Sequence, residues 1–453
     1  MSHNYQATQF TCSWPWSIGV LLCDGRMVCG CADPYAKRVL GDTRTSTVSE
    51  VWRGATASQL RIDMNAGGSE FCGDCPLKLP LAPGQEPPQR DLDVAPLPGR
   101  LYIETTAACN ISCFQSCCAP ETGITKTRQA GMLDWDVFTK VVDEAGPSLG
   151  RIDFFNYGEA FLHKRAVEMC EYIKTRFPHI YLYTSTNGLA FTDEKVRQLA
   201  RSGIDEVTFS IDGASQETYV RYRQRGNFDK AIANLRALVD ERSKAGRDLP
   251  FVNWRYILFN WNDHDEEMAR AREMAAEIGV DRLCWEITDH PEDSFSQRYR
   301  PGSEGNARIQ HEIWDNSGLG NAIPGMTPRA EIRLHSPLPD LPYLVRAATT
   351  LPLTPKVRNL SGQPFRKTTS SGRRLVRLGA QLMREDGTLI ERDYARAFLP
   401  ADLAPGAEMA VPIEVPIPET PGRYALKFDL VSEGVDWFEA CGSPTTTKGL
   451  WVR

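Results

Sequence analysis

The sequence predicts an α/β protein: a partial (β/α)6 TIM-type barrel as the core, a small Cys-rich domain before it and an all-β sandwich after it. Three observations carry this. Short runs rich in β-branched and aromatic residues alternate with amphipathic segments across the middle of the chain. Thirteen cysteines gather mostly in two groups. Past Val376 the apolar period changes from that of a helix to that of a strand. Proline at 80, 83, 87, 88, 96 and 98 reads as an extended linker, and a second break runs from Pro291 to Pro328. The expected domains are therefore 1–95, 96–300, a linker 301–328, and 329–453.

At 453 residues the chain is long enough for several domains, each with its own core. A formal charge of −6 on a mixed surface offers no basic footprint, so nucleic acid is not an expected partner. The polar start and the interruption of the next apolar stretch by Cys23, Asp24 and Arg26 predict no signal peptide and no membrane span, and hence a cytoplasmic protein.

Within the middle part, strands are expected near Leu101, over Ile152 to Tyr157, Ile180 to Thr184, Val207 to Ile211, Phe251 to Phe259 and Leu283 to Ile287. Between them Val137, Phe138, Val141 and Val142 recur at helical spacing, and Thr192 followed by Asp193 and Glu194 is a helix start with Gly203 at its end. Repeated strand-helix units predict a parallel sheet with right-handed crossovers and ligands at the C-terminal strand ends. Further on, Val376, Leu378, Ala380 and Leu382 alternate up to Asp386-Gly387, as do Val411, Ile413, Val415 and Ile417, and then Tyr424, Leu426, Phe428 and Leu430. Pro412 and Pro416 mark their strand as an edge.

Cysteines clustered in a reduced compartment point to metal or redox chemistry rather than disulfides. Cys109, Cys113 and Cys117 share one loop directly after the first core strand, with Cys118 beside them. Three thiolates there can hold three irons of a cubane and leave the fourth iron open. Cys12, Cys23, Cys29, Cys31, Cys72 and Cys75 form the other group. Its Cys-x2-Cys pair also suits a rubredoxin-like or zinc-ribbon site.

On these residues the middle domain resembles the radical S-adenosylmethionine (SAM) superfamily over about Arg100 to Asp289. The family's Cys-x3-Cys-x2-Cys loop is matched by Cys109 and Cys113, with Ser116 at the third position and Cys117, or alternatively Cys118, one or two residues later. Asn156-Tyr157-Gly158-Glu159 resembles the family's Gly-Gly-Glu-Pro element, which implies that Gly158 lets the backbone approach and Glu159 accepts from the SAM amino group. Ser185 and Asn187 after the third strand, and Ser210 and Asp212 after the fourth, are similar to segments that bind the ribose and methionine carboxylate. Arg223, with Arg221 or Arg225 as substitutes, would pair with that carboxylate. The resemblance implies a SAM-binding 4Fe-4S cluster, S-adenosylmethionine as cosubstrate, a 5′-deoxyadenosyl radical that abstracts a C-H hydrogen, and an electron donor such as flavodoxin or ferredoxin.

The N-terminal unit resembles the SPASM or twitch extension of the same superfamily. This implies one auxiliary 4Fe-4S cluster on Cys12, Cys31, Cys72 and Cys75, with Cys29 able to replace Cys31. Cys23 would be spare or face substrate. The C-terminal part resembles the carbohydrate-binding sandwich of polysaccharide ABC exporter ATPases at Asp386-Gly387, Leu399-Pro400, Pro405-Gly406, Pro421 to Tyr424 and Asp436-Trp437-Phe438. Trp437 and Phe438 would stack on a sugar, or else belong to the core. The implied function is oxidation or epimerisation of a small-molecule or glycan substrate; the alternatives are modification of a peptide or protein, and a non-catalytic iron-sulfur protein. On the last strands Cys284 and Glu286 are the candidate catalytic residues, Cys284 as a hydrogen-atom donor.

Overall fold

Local signals in the sequence become elements much as expected in the computed structural model, which describes residues 9–115, 128, 131–289, 291, 293–309, 312–313, 329–334, 341–361, 364–368, 375–433 and 436–453. Asp134 caps the helix Trp135–Ala145 by accepting from the Asp136 and Val137 amides, and the helix buries Phe138, Val141, Val142 and Ala145. Thr192 caps Asp193–Leu199, and Asn227 caps Phe228–Lys244. The helix after Thr192 stops at Leu199, four residues short of Gly203.

The N-terminal segment gives β1 (Phe10–Thr11), β2 (Ile18–Leu21), β3 (Arg26–Val28), β4 (Val39–Asp42) and β5 (Leu79–Pro80). The core follows with β6 (Arg100–Ile103), β7 (Ser112–Cys113), β8 (Arg151–Asp153), β9 (Tyr181–Thr186), β10 (Glu206–Ser210), β11 (Arg223–Gln224), β12 (Phe251–Leu258) and β13 (Arg282–Ile287). One nine-stranded sheet runs β13-β12-β10-β9-β8-β6-β2-β3-β4. The six expected core strands stand in it in chain order, and the registered neighbours from β6 to β12 are parallel. Among the described residues no pairing closes this sheet into a barrel.

The structure adds three details at the expected boundaries. Residues 1–95 do not stand apart from the core: β2 pairs in parallel with β6, and the β2-β3-β4 hairpins extend the sheet beyond it. The pairing occupies an edge that β6 would otherwise present to solvent. The proline-rich stretch is also tied down, since β5 pairs with β1 and Asn65 bonds both the amide and the carbonyl of Arg90. Two units emerge by internal packing: one comprising Met1–Arg255 and His290–Ser294, the other Tyr256–Asp289 and Phe295–Arg453. Residues Glu304–Ile309, expected to be linker, form a short helix.

The sheet's two faces differ. Leu101, Ile103, Ile152, Leu182, Val207, Phe209, Val252 and Trp254 are buried on one. The other carries Arg100, Arg151, Asp153, Tyr183, Ser185, Glu206, Thr208, Ser210, Asn253 and Arg255. A parallel sheet covered on both faces reads as apolar throughout; here one face is polar.

In the second unit, β14 (Ala330–Arg333), β15 (Tyr343–Val345), β16 (Thr350–Leu353), β17 (Lys356–Asn359), β18 (Val376–Arg384), β19 (Leu389–Phe398), β20 (Glu408–Ala410), β21 (Ile413–Pro416), β22 (Gly422–Ser432), β23 (Asp436–Trp437) and β24 (Thr446–Val452) are all β. Among the described residues they form a six-stranded, a three-stranded and a two-stranded sheet around one apolar core. Pro352 and Pro416 sit in the two-stranded sheet of β16 and β21, where every strand is an edge and a missing amide is tolerated. Val411, Ile413, Val415 and Ile417 are buried, as their alternation predicts.

Candidate active site

The cysteine loop leaves β6 at Glu104 and is gripped by the segment that leaves β8. The Glu159 amide donates to the Ala108 carbonyl at 2.8 Å, and the Thr105 hydroxyl donates to the Ala160 carbonyl at 2.9 Å. Gly158 has φ +78°, and a Cβ there would lie 2.5 Å from the carbonyl oxygens of Thr106 and Ala108. Only glycine fits that seat. Farther along, β7 pairs with β11 so that Cys113 faces Arg223, and the Phe114 amide donates to the Tyr222 carbonyl.

Six of the expected cofactor-binding residues meet Cys109, Cys113 or each other. Glu159, 2% exposed, accepts from the Thr186 hydroxyl at 2.7 Å, the Asn187 amide at 2.8 Å and the Phe161 amide at 3.3 Å. Burial pushes its carboxyl up, against the pull of those donors. The Asn187 side-chain amide donates to Asn110 Oδ1 at 2.8 Å and reaches Cys109 Sγ at 3.7 Å. Arg223 forms an ion pair with buried Asp212 and reaches Cys113 Sγ with Nη1 at 3.4 Å. Ser185 and Ser210 lie 3.1 Å apart, and Arg255 donates to Ser210 at 2.9 Å. Cys117 and its alternative Cys118 lie outside the described residues.

In the N-terminal unit the 3-10 turn Glu70–Cys72 brings Cys72 and Cys75 together, with the Cys75 amide on the Cys72 carbonyl at 2.8 Å. They pack with Cys12, Leu60 and Met64, against Phe10, Trp14, Trp16, Leu40, Phe71 and Cys29. Cys29, the alternative to Cys31, packs beside Cys12, Cys72 and Cys75, whereas Cys31 packs with Val20, Leu22, Val28, Ala36 and Tyr102. Gly30, at φ +80°, breaks the extended run between the two cysteines and turns Cys31 away. Burial, and after it the charges of Cys12, Cys72 and Cys75, raises the Cys29 thiol; burial and neighbouring thiols push Cys72 up to about 11. Such thiols are poor anions on their own, and a bound iron-sulfur cluster would remove that cost. Among the described residues no three His, Cys, Asp or Glu groups are set to share a single metal ion. A cubane instead puts each thiolate on its own iron.

The polar groups that composition did not reveal lie on the sheet's polar face. Asp153, fully buried, holds Arg100 and Arg151, and Glu104 pairs with Arg128 through two bonds of 2.7 and 2.9 Å. Cys23 is buried against Glu104, which together with burial pushes its thiol up to about 12. Their signal in the sequence is a polar residue at every second position, as in Arg100-x-Tyr102-x-Glu104 and Glu206-x-Thr208-x-Ser210. Cys284, wholly buried, and Glu286, half-buried, lie on β13 in the other unit. Trp437 and Phe438 are 7% and 1% exposed, so they are core residues rather than a sugar platform.

Residues 103–272 match the family model of the Radical SAM superfamily, and residues 12–76 that of an iron-sulfur cluster-binding domain, SPASM. Among curated proteins, the tungsten-containing aldehyde ferredoxin oxidoreductase cofactor-modifying protein of Pyrococcus furiosus is 37% identical over 40% of this chain and 49% of its own length. A mycofactocin maturase of Mycolicibacterium smegmatis is 29% identical over 43% of this chain and 46% of its own. The chain thus spans about half the length of these relatives. Among solved structures, Streptococcus suis SuiB bound to S-adenosylmethionine aligns with a TM-score of 0.32 at 15% identity, covering 42% of this chain and 40% of that one.

Proposed function

We infer that this chain, which carries a Radical SAM domain over residues 103–272 and an iron-sulfur cluster-binding domain over residues 12–76, cleaves SAM reductively and abstracts a hydrogen atom from a substrate C-H bond. The observation that carries this reading is the convergence of Glu159, Asn187 and Arg223 on the loop of Cys109 and Cys113. When bound, the cluster and SAM supply a 5′-deoxyadenosyl radical. Cys109, Cys113 and Cys117 are the proposed ligands of the SAM-binding cluster. Glu159 shapes its pocket by holding the Thr186-Asn187 turn, Ser185 and Ser210 offer hydroxyls to the cosubstrate, and Asp212 fixes Arg223.

Cys12, Cys29, Cys72 and Cys75 are the proposed ligands of the auxiliary cluster. Four protein thiolates leave no iron open, which suits a relay for the electron released in a net oxidation.

For substrate class, the buried state of Trp437 and Phe438 favours the peptide- or cofactor-modifying reading over the glycan one. Names of relatives, a cofactor-modifying protein and a mycofactocin maturase, point the same way. A glycan would need an exposed aromatic platform elsewhere.

Anaerobic reconstitution with iron and sulfide tests the core of this reading. About eight irons per chain are expected, four per cubane, with SAM cleaved to 5′-deoxyadenosine. Cys113→Ala should abolish cleavage and Cys29→Ala should lower the iron count, while Cys31→Ala leaves it unchanged. Cleavage that survives Cys113→Ala, or iron lost with Cys31→Ala but retained with Cys29→Ala, would overturn the corresponding assignment.

A further inference from the structure

Arg223 is assigned by resemblance to the methionine carboxylate of SAM, yet its neighbours are a cluster ligand and an acid. The ladder of β7 and β11 sets it opposite Cys113, so its backbone is fixed relative to that sulfur. Its side chain is 11% exposed, and Asp212, fully buried, engages Nε. The fork geometry of a guanidinium lets one edge bind the carboxylate while Nη1 points at Cys113 Sγ, 3.4 Å away. On the other cysteine, Asn187 Nδ2 stands 3.7 Å from Cys109 Sγ. We propose that Arg223, braced by Asp212, donates a charge-assisted hydrogen bond to the Cys113 sulfur and so raises the reduction potential of the cluster on the cysteine loop, with Asn187 as a neutral second donor at Cys109.

The physical basis is a charge balance. One-electron reduction adds a negative charge to a centre already surrounded by thiolates. A cation and N–H donors beside the ligand sulfurs stabilise the reduced form more than the oxidised one. Asp212 has two opposed effects: it fixes the guanidinium, and its own charge offsets part of the benefit. Removing the arginine and removing the aspartate should therefore shift the potential in opposite directions.

This rests on Cys109 and Cys113 being cluster ligands, and the experiment separates the two claims. Full-length protein is reconstituted, iron is counted, and a redox titration without substrate is followed by electron paramagnetic resonance. The cluster on this loop is identified by the change in its spectrum when SAM is added. At a fixed potential, Arg223→Gln should lower the ratio of reduced to oxidised cluster about tenfold, equivalent to about 59 mV for a one-electron couple. Asp212→Asn should raise that ratio, and Arg223→Lys, keeping charge without the fork, should fall between wild type and Arg223→Gln. If Arg223→Gln fails to load iron, the signs of Asp212→Asn and Arg223→Lys decide. Arginine variants that load iron and titrate like wild type, or an Asp212→Asn shift in the same direction as theirs, overturn the role of Arg223. A wild-type protein with no SAM-responsive cluster overturns the reading beneath it.

Discussion

A single methyl group at Gly158 would collide with two carbonyl oxygens at 2.5 Å. Neither oxygen belongs to a flexible side chain; both are backbone of the cysteine loop, so relief requires the loop itself to move. The positive φ adds strain for any other residue. Gly158→Ala should therefore cost about 2 kcal/mol or more of stability. It should also displace Cys109 while sparing the N-terminal thiols, so that iron falls from about eight toward about four per chain. Unchanged iron and thermal midpoint would show that the seat is not needed. Glu159, next to it, illustrates what sequence reasoning sees and misses. A resemblance marks the residue, but its three donors come from Phe161, Thr186 and Asn187, and only the fold brings the β9 turn to it.

At the scale of elements, the six core strands were legible because β-branched and aromatic runs alternate with capped amphipathic helices. Their polar face was not, because a search for apolar runs discards the alternate positions where Arg100, Asp153, Ser185, Ser210 and Arg255 stand. The packing of Cys29, rather than Cys31, beside Cys12, Cys72 and Cys75 was equally out of reach, since it depends on a turn at Gly30 that one spacing can describe in two ways. The C-terminal part was read as β from its period-2 pattern, but the division of its described strands into three sheets around one core was not legible there. Within it, Asp429 on β22 is 1% exposed and accepts from the Leu430 and Glu439 amides. Burial nevertheless pushes it up to about 6. A carboxyl raised in the folded state binds its proton more tightly there than in the unfolded chain. Its contribution is thus most favourable below about pH 4 and is lost as pH rises through about 6, on the order of 2 to 3 kcal/mol. Asp429→Asn removes the titration, so wild type should lose stability relative to the variant between pH 4 and 6 in urea unfolding. A difference that stays constant over that range would show that Asp429 keeps an ordinary pKa.

At the scale of the molecule, the position of the Cys-rich module before the core has a structural consequence: it is built into the same unit as the loop of Cys109 and Cys113. The β2–β6 pairing is one tie. Glu144 accepts from the Val48 and Ser49 amides at 2.8 and 2.9 Å, Lys140 donates to the Thr43 and Ser46 carbonyls, and Tyr157 donates to the Cys31 carbonyl. The most buried tie is Arg128, which binds Glu104 through two bonds and donates from Nε to the Pro34 carbonyl at 2.7 Å. Both charged side chains are fully buried. Taking two ions out of water is costly, so the pair by itself adds little net stability; breaking it leaves a carboxylate buried without its main cation. Arg128→Met should cost about 3 to 5 kcal/mol, and adding Glu104→Met should restore a large part of that loss. If the pair serves to hold the two cysteine regions in one frame, the double variant, stable again, should still load SAM-responsive iron less completely than wild type, because the Pro34 contact is gone. Full loading by the double variant would leave Arg128 a packing residue, with the frame held by the β2–β6 pairing and the Glu144 and Lys140 contacts alone.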